Sequence, residues 1–380
     1  MQSRITNRIV AGSGMPRLFS VLAQEISASD LQSLLLSVYR NRVRALREPE
    51  VLARARQNPL AAPSSVDARL LHTFDRAAFT AAEAFDAIDL SPACPVGTTS
   101  VLGGIDQNNV LTTIRNVEVL GDSTPALALE CAHRRLDRAC RAAQAPVRLC
   151  SSHRVVRLQP FDFPGFTPHF RLFGLVSAGR DSGSNAFEVQ HFAEHLRFYL
   201  TLFRELNALG FSLADPLVEI SDLSITGALL ESAGISREEI RAAVRAHIHG
   251  GSARFLAERG ISLPAEIIDP VKELEPLTAK HGLESQLTRL ELMRSQVFEP
   301  LQSEHPEARF RFNFARMEGL GYYTGLCLRV SPLAPDGRHY AVTDGGVTDW
   351  TARLLQDKKE RLLTSGIGSE MVCRLYRAVP

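Results

Sequence analysis

The spacing of apolar positions changes period several times along the chain, and each change predicts a new element. From Asp30 onward, Leu31, Leu34, Leu35, Val38, Tyr39, Val43 and Leu46 recur at helical spacing. This predicts an amphipathic helix with Asp30 or Ser29 as N-cap and Pro49 beyond its end. A Pro/Ser-containing break at 58–65 precedes an alanine-rich helix near 74–88. Residues 91–130 are short β-leaning runs punctuated by Pro92, Pro95, Gly97, Gly103, Gly104 and Gly121, and a helix follows at about 125–143. Val147–Cys150, Val155–Leu158 and His169–Val176 are successive strand candidates, the last two joined by the 160–168 loop, which is an antiparallel pattern. Glu188–Leu209 reads as a helix, Val218–Ile220 as a short strand, and 224–304 as mostly helical. Strands return at 309–316, 322–330 and 339–343 before a last helix starting near Ser369. An antiparallel sheet interrupted by a helical insertion predicts an α+β fold.

With 380 residues, 45% of them hydrophobic and 22% charged, the chain can build a full core and more than one domain. The expected division is an N-terminal helical region at 1–88, a core at 89–210, a helical insertion at 211–304 and the rest of the core at 305–380. No apolar run reaches the ~20 residues of a membrane helix, and Arg4, Arg8, Pro16 and Arg17 interrupt the place of a secretory core. Six cysteines without C-x-x-C spacing suggest buried thiols and a reducing compartment, with the cytoplasm as the expected location. The net charge of +1 argues against a wholesale polyanion binder. Basic charge is local, since residues 1–60 hold nine arginines against four acids. Arg40, Arg42, Arg44 and Arg47 fit either a solvated helix face or a nucleic-acid contact.

Three glycine-rich signals stand in order near the C-terminus: Glu318–Gly325, Thr343–Asp349 and Ser365–Glu370. Glycine lets backbone approach a ligand closely, so the three together suggest the floor of a small-molecule site. Arg157 ends a β run ahead of a Pro/Gly loop, and the next run bears His169 and Arg171. That arrangement suits either a phosphate grip or a structural ion pair. Gly366 and Gly368 open the last helix, where free N–H groups suit an anion and a tight capped turn is the competing reading. Tyr322 and Tyr323 are expected on one strand with rings on opposite faces. His191-Phe-Ala-Glu-His195 has the letters of an H-x-x-E-H zinc motif, but no third ligand motif accompanies it, so no metal ligand is assigned. His247 and His249 read as a helix end.

Taken together, residues 90–376 resemble the catalytic core of class II aminoacyl-tRNA synthetases, most closely histidyl-tRNA synthetase and its paralogue, the regulatory subunit of ATP phosphoribosyltransferase. Val156–Gln159 with His169–Gly174 is similar to motif 2, Glu318–Gly325 to R-G-L-D-Y-Y-T-G, Thr343–Asp349 to G-G-R-Y-D, and Gly366–Met371 to motif 3. The resemblance implies a mostly antiparallel sheet flanked by helices, with ATP and Mg2+ as cofactors, an amino acid or other carboxylate as substrate, and a homodimer. It implies Arg157 and Arg171 as catalytic residues, and Glu130, Glu318, Tyr322, Tyr323 and Asp349 around the substrate. Nucleotide would lie on Arg157, Gly345, Gly346, Gly366, Gly368 and Glu370.

The sequence departs from that pattern at Gln159, Glu318, Gly321, Val347 and Met371, where the family has glutamate, arginine, aspartate, arginine and arginine. Each lost arginine removes a fixed cation, and Glu318 reverses the sign. A C-terminal anticodon-binding domain is also expected to be missing. Two readings follow. One is an adenylate-forming ligase passing an acyl group to a non-standard acceptor, a tRNA end among them, which the persistence of Arg157 favours. The other is a regulatory or ligand-sensing subunit working with a partner enzyme. A zinc hydrolase is the third.

Overall fold

The computed structural model describes residues 4–137, 145–158, 167–246 and 251–377. Three longer helices open the described part of the chain, α1 (Arg4–Ser13), α2 (Ala28–Arg44) and α3 (Glu48–Gln57), with a short helical stretch at 18–25 between the first two. Helix α2 is the amphipathic helix of the sequence, but its N-cap is Ser27, whose hydroxyl accepts from the Asp30 amide. None of the three helices buries a residue. Burial begins with α4 (Ala68–Ala81), which sets Leu71, Phe74, Ala77 and Ala78 into the main core. One face of this helix is turned to the sheet and not to solvent.

The strands are β1 (Asp86–Ala87), β2 (Ala93–Pro95), β3 (Val117–Val119), β4 (Val147–Val156), β5 (His169–Arg180), β6 (Ala214–Asp222), β7 (Arg309–Phe312), β8 (Leu326–Leu333), β9 (Thr343–Thr348) and β10 (Glu360–Gly368). Eight of them form one sheet in the order β1-β4-β5-β10-β9-β8-β6-β7, and β2 with β3 forms a small second sheet. Pairing in the large sheet is antiparallel except at its two edges, where β1 joins β4 and β7 joins β6 in parallel. This is the expected α+β architecture. The sequence reading missed β10, the central strand, and split β4 in two. Glycine in Ser365–Gly368 reads as a turn, yet these residues lie in register between Asp344 on one side and Gly174 on the other.

The remaining helices cover the sheet and form the insertion: α5 (Thr98–Gly103), α6 (Ser123–Leu136), α7 (Ala186–Ala208), α8 (Leu223–Ser232), α9 (Arg237–Ala246), α10 (Gly251–Glu258), α11 (Pro270–His281), α12 (Glu284–Met293), α13 (Glu299–Glu304), α14 (Trp350–Leu355) and α15 (Ser369–Leu375). Side chains alternate across a strand, so each face meets a different partner. Leu149, Val176 and Ala178 point at Leu127, Ala128 and Cys131 of α6. Phe173 and Leu175 point at α7, whose Phe192, Leu196 and Phe203 belong to the same core. No helix among the described residues is long and apolar enough to cross a membrane.

Candidate ligand cavity

A cavity of about 930 Å³ opens on the α6 face of the sheet. Arg157, Glu318, Tyr322, Tyr323, Gly366 and Gly368 all line it, so residues from three distant stretches of sequence meet in one place. Thr99, Asp106, Asp122, Phe170 and Asp344 share the wall, and Ala243 of α9 and Phe255 of α10 reach it from the insertion.

One row of paired residues crosses the sheet beneath it: Ser151, Gly174, Gly366, Asp344, Arg329, Glu219 and Arg311. Directly paired residues share a face, so the charges in this row alternate on one surface. Arg311 donates to Glu219 at 2.8 Å, Arg329 lies 3.4 Å from Glu318, and Arg316 is hydrogen-bonded to Asp344. Arg316 is only 3% exposed and also donates to the carbonyls of Glu318 and Leu328, both at 3.0 Å. Burial is the largest single influence and would disfavour its charge, but Asp344 and the other acidic groups around it, Glu318 among them, together outweigh burial, and the guanidinium is held even more firmly protonated than usual.

The tyrosines differ from the expectation of a strand with rings on opposite faces. Both precede β8, in a turn that starts at Gly319, whose carbonyl accepts from the amides of Tyr322 and Tyr323 at 2.9 Å each. Gly319 has φ +97°, and a Cβ there would stand 2.6 Å from the Tyr323 ring, so the turn requires glycine. The rings meet edge to face at 4.9 Å, Tyr322 rests on Trp350 at 5.3 Å, and Tyr323 donates to Asp344 at 2.9 Å. Burial pushes both phenols up, which keeps them neutral donors.

Arg157 follows β4. Its Nε donates to the Gly121 carbonyl at 2.8 Å, its Nη2 to Asp122 at 3.0 Å, and its guanidinium stands 5.2 Å from the centre of the Phe170 ring. Asp122 has a second task, capping α6 through the amide and hydroxyl of Thr124. The part of the wall at Thr99 depends on Glu118, fully buried in β3. It accepts from the amides of Gly97 and Thr99 at 2.7 Å each and so holds the start of α5. Burial raises its pKa, and these donors more than reverse the effect.

Several expected site residues lie elsewhere. Arg171 points to the other face of β5, at 2.9 Å from both Asp75 and Ser152, because alternation puts Phe170 and Leu172 on the cavity side. Glu130 is bound by Arg134 at 2.8 Å on α6. Asp349 opens α14 and pairs with Arg353 at 3.0 Å. Glu370 is 4% exposed and holds Arg154 at 2.6 Å. Gly345 faces α7, and its Cα lies against Ser365. Gly346 faces the cavity side but serves the protein itself, since a Cβ there would stand 2.7 Å from Tyr323 and 2.9 Å from Cys327. The H-x-x-E-H letters are spent on structure. His195 Nδ1 and Nε2 lie 2.7 and 3.0 Å from the hydroxyls of Ser365 and Ser177, and His191 pairs with Glu194 at 2.7 Å. Gln159, His247 and His249 lie outside the described residues. Asp344 lies inside the Thr343–Asp349 signal but was not singled out there, and nothing in their spacing marks Asp122, Arg316 and Glu118, which meet their partners only in the folded chain.

No family model and no curated protein matches the chain. Solved structures do. A histidine–tRNA ligase subunit from Alicyclobacillus acidocaldarius aligns with TM-score 0.61 and 16% identity over 82% of this chain and 94% of its own. An ATP phosphoribosyltransferase regulatory subunit/histidyl-tRNA synthetase from Bacillus halodurans gives 0.53 and 15% over 82% of each chain. A histidyl-tRNA synthetase from Nostoc gives 0.57 and 17% over 82% of this chain and 73% of its own. At these identities the likeness is one of architecture, and the chain carries the class II synthetase-like fold that these structures share.

Proposed function

We propose that the chain is a ligand-binding core of synthetase-like ancestry, working as a sensing or regulatory subunit rather than forming an adenylate. The observation that carries this reading is where the nucleotide-side residues lie. Arg171 is bound to Asp75, Glu370 to Arg154, and Met371 stands where the family has an arginine. Arg157 does line the cavity, but both its Nε and Nη2 are already engaged by Gly121 and Asp122. ATP and Mg2+, implied by the resemblance, do not fit this donor set, because a polyphosphate needs guanidinium or ammonium groups that are free to turn toward it.

What remains is a recognition site. Tyr322, Tyr323 and Phe170 supply apolar contact, while Glu318 and Asp344 supply fixed acceptors. Ala243 and Phe255 bring the insertion to the same cavity, so a ligand touching both parts would bias how they sit together, which is the elementary requirement for signalling to a partner enzyme. A cytoplasmic homodimer that binds such a partner is the setting this reading expects.

The adenylating reading stays second, favoured by Arg157 beside Phe170 on the cavity wall. Pyrophosphate exchange with a broad panel of amino acids and carboxylates separates the two. Ligand-dependent thermal shift without exchange is the expected result, and exchange abolished by Arg157→Ala would establish the ligase instead.

A further inference from the structure

Ten of the nineteen large apolar side chains left exposed among the described residues lie between Ile5 and Leu52, on α1, α2, α3 and the stretch between the first two. The three helices are 10, 17 and 10 residues long, and none buries a residue. Helices this short are marginal in water unless a surface covers their apolar side. The uncovered apolar surface of the molecule therefore sits mainly on this N-terminal arm and not on the body that holds the cavity.

The apolar stripe is clearest on α2. Leu34, Val38, Tyr39 and Val43 are 42–58% exposed, and the half-buried Leu31 and Leu35 lie among them on the same broad face. Arg40 and Arg44, four apart, share the opposite face with Ser33 and Ser37. Arg42 stands within the stripe itself, so a partner helix packed along it would have to bury a guanidinium. A lipid surface makes no such demand, because the long side chain carries its charge to the headgroups while its stem stays among apolar groups. Charge selects the kind of lipid. Residues 1–60 hold nine arginines and four acids, whereas the rest of the chain holds 34 basic and 38 acidic side chains, so the arm is net positive and the body net negative. Among the described residues Arg17 meets Glu25 and Arg47 meets Glu50, while Arg40, Arg42, Arg44, Arg54 and Arg56 meet no carboxylate. An anionic surface would attract such an arm and turn the body away from itself.

We propose that the N-terminal arm is a reversible docking surface for an anionic membrane, with α2 lying in the plane of the headgroups and its stripe turned to the lipid. The full chain would be sedimented with vesicles of phosphatidylcholine alone and with vesicles that also contain about 30% phosphatidylglycerol. The anionic vesicles should bind at least about tenfold more protein, and salt raised to about 0.5 M should release most of it. Arg42→Gln should weaken binding about fivefold. Val38→Ser combined with Val43→Ser keeps every charge and, since both positions are exposed, the unfolding midpoint; it should still weaken binding about tenfold, because the stripe no longer enters the lipid. Tyr39→Trp should shift its emission to the blue on anionic vesicles, against the constant background of buried Trp350. Binding by the double variant equal to wild type would reduce the arm to a diffuse positive charge and overturn the insertion of α2. Binding without preference for the anionic vesicles, or no binding at all, would overturn the proposal. A particle mass that falls by half in the double variant without lipid would show that the stripe is an interface between copies of the chain instead.

Discussion

Arg157 Nη2 stands 3.0 Å from Asp122 Oδ2 on the wall that both residues line. The pair fixes the charge of that wall and joins the end of β4 to the start of α6, since the same aspartate caps the helix. A guanidinium so placed is a neutralising group first and a ligand contact second.

Replacing Arg157 by alanine should therefore strengthen cation binding. Removing one positive charge some distance across a partly solvated cavity changes the interaction by about 1 kcal/mol, or roughly fivefold in affinity. The ion pair is part-exposed, so its loss should lower stability by no more than about 1 kcal/mol. Calorimetric titration of wild type and Arg157→Ala with histamine as a cationic probe reads the first effect, and urea unfolding reads the second. Weaker histamine binding in the variant would mean that Arg157 touches the ligand directly.

Two glycines that look alike in sequence should behave differently. At Gly346 an added Cβ meets the Tyr323 ring at 2.7 Å and the Cys327 Cβ at 2.9 Å, and neither can yield without leaving its place. Gly346→Ala should cost about 1–3 kcal/mol and pull the Tyr323 hydroxyl away from Asp344. At Gly366 the nearest atom, Leu172 Cδ1, lies 3.4 Å away, and the backbone is ordinary strand. Gly366→Ala should leave the unfolding midpoint unchanged while occupying the cavity floor. Paired unfolding and binding measurements would show stability lost in the first variant and affinity alone lost in the second.

The contrast between these glycines marks what could be read from the sequence and what could not. Period and punctuation located β5, α7 and the helices that follow β6, because their buried faces impose a repeat along the chain. Arg157, the tyrosine pair and Gly366 were legible through their local motifs, and they do converge. Arg171, Glu130 and Asp349 were not, because which face a side chain takes depends on strand register and on partners such as Asp75, 96 positions earlier in the chain. Strand β10 escaped because its glycines, which in a loop mark a turn, here let two central strands pack closely under the cavity.

Arg135 and Glu360 form an ion pair with 1% and 3% of their side chains exposed, Nη2 to Oε1 at 2.9 Å and Nε to Oε2. It ties the last turn of α6 to the start of β10. Deleting one partner leaves the other charge desolvated, which costs about 3–5 kcal/mol, whereas an apolar replacement of both can be close to neutral. Arg135→Met should thus lower the urea midpoint sharply, and Arg135→Met with Glu360→Leu should recover most of it. A double variant no better than the single one would show that the partners contribute independently.

His195 gives the fold a dependence on pH that can be assigned to one residue. It is completely buried between Ser177 of β5 and Ser365 of β10, and burial pushes its imidazole down to about 3. In the unfolded chain it would protonate near pH 6.5. Between those values the unfolded state holds the extra proton, so this contribution is fully present above about pH 6.5 and is lost as pH falls toward 3. The slope approaches about 1.4 kcal/mol per pH unit. Glu194, whose carboxyl is also held low, against burial, by His191 and Arg148, acts only below the usual carboxylate range of about 4.5 and does not overlap the upper part of this window. Burial lowers His153 as well, but it is present in both proteins and cancels in the difference. Unfolding free energies measured between about pH 7 and pH 5 should therefore fall more steeply for wild type than for His195→Gln. Equal slopes would mean that the imidazole reaches water, and that the clamp between β5 and β10 is looser than the distances to its two serines imply.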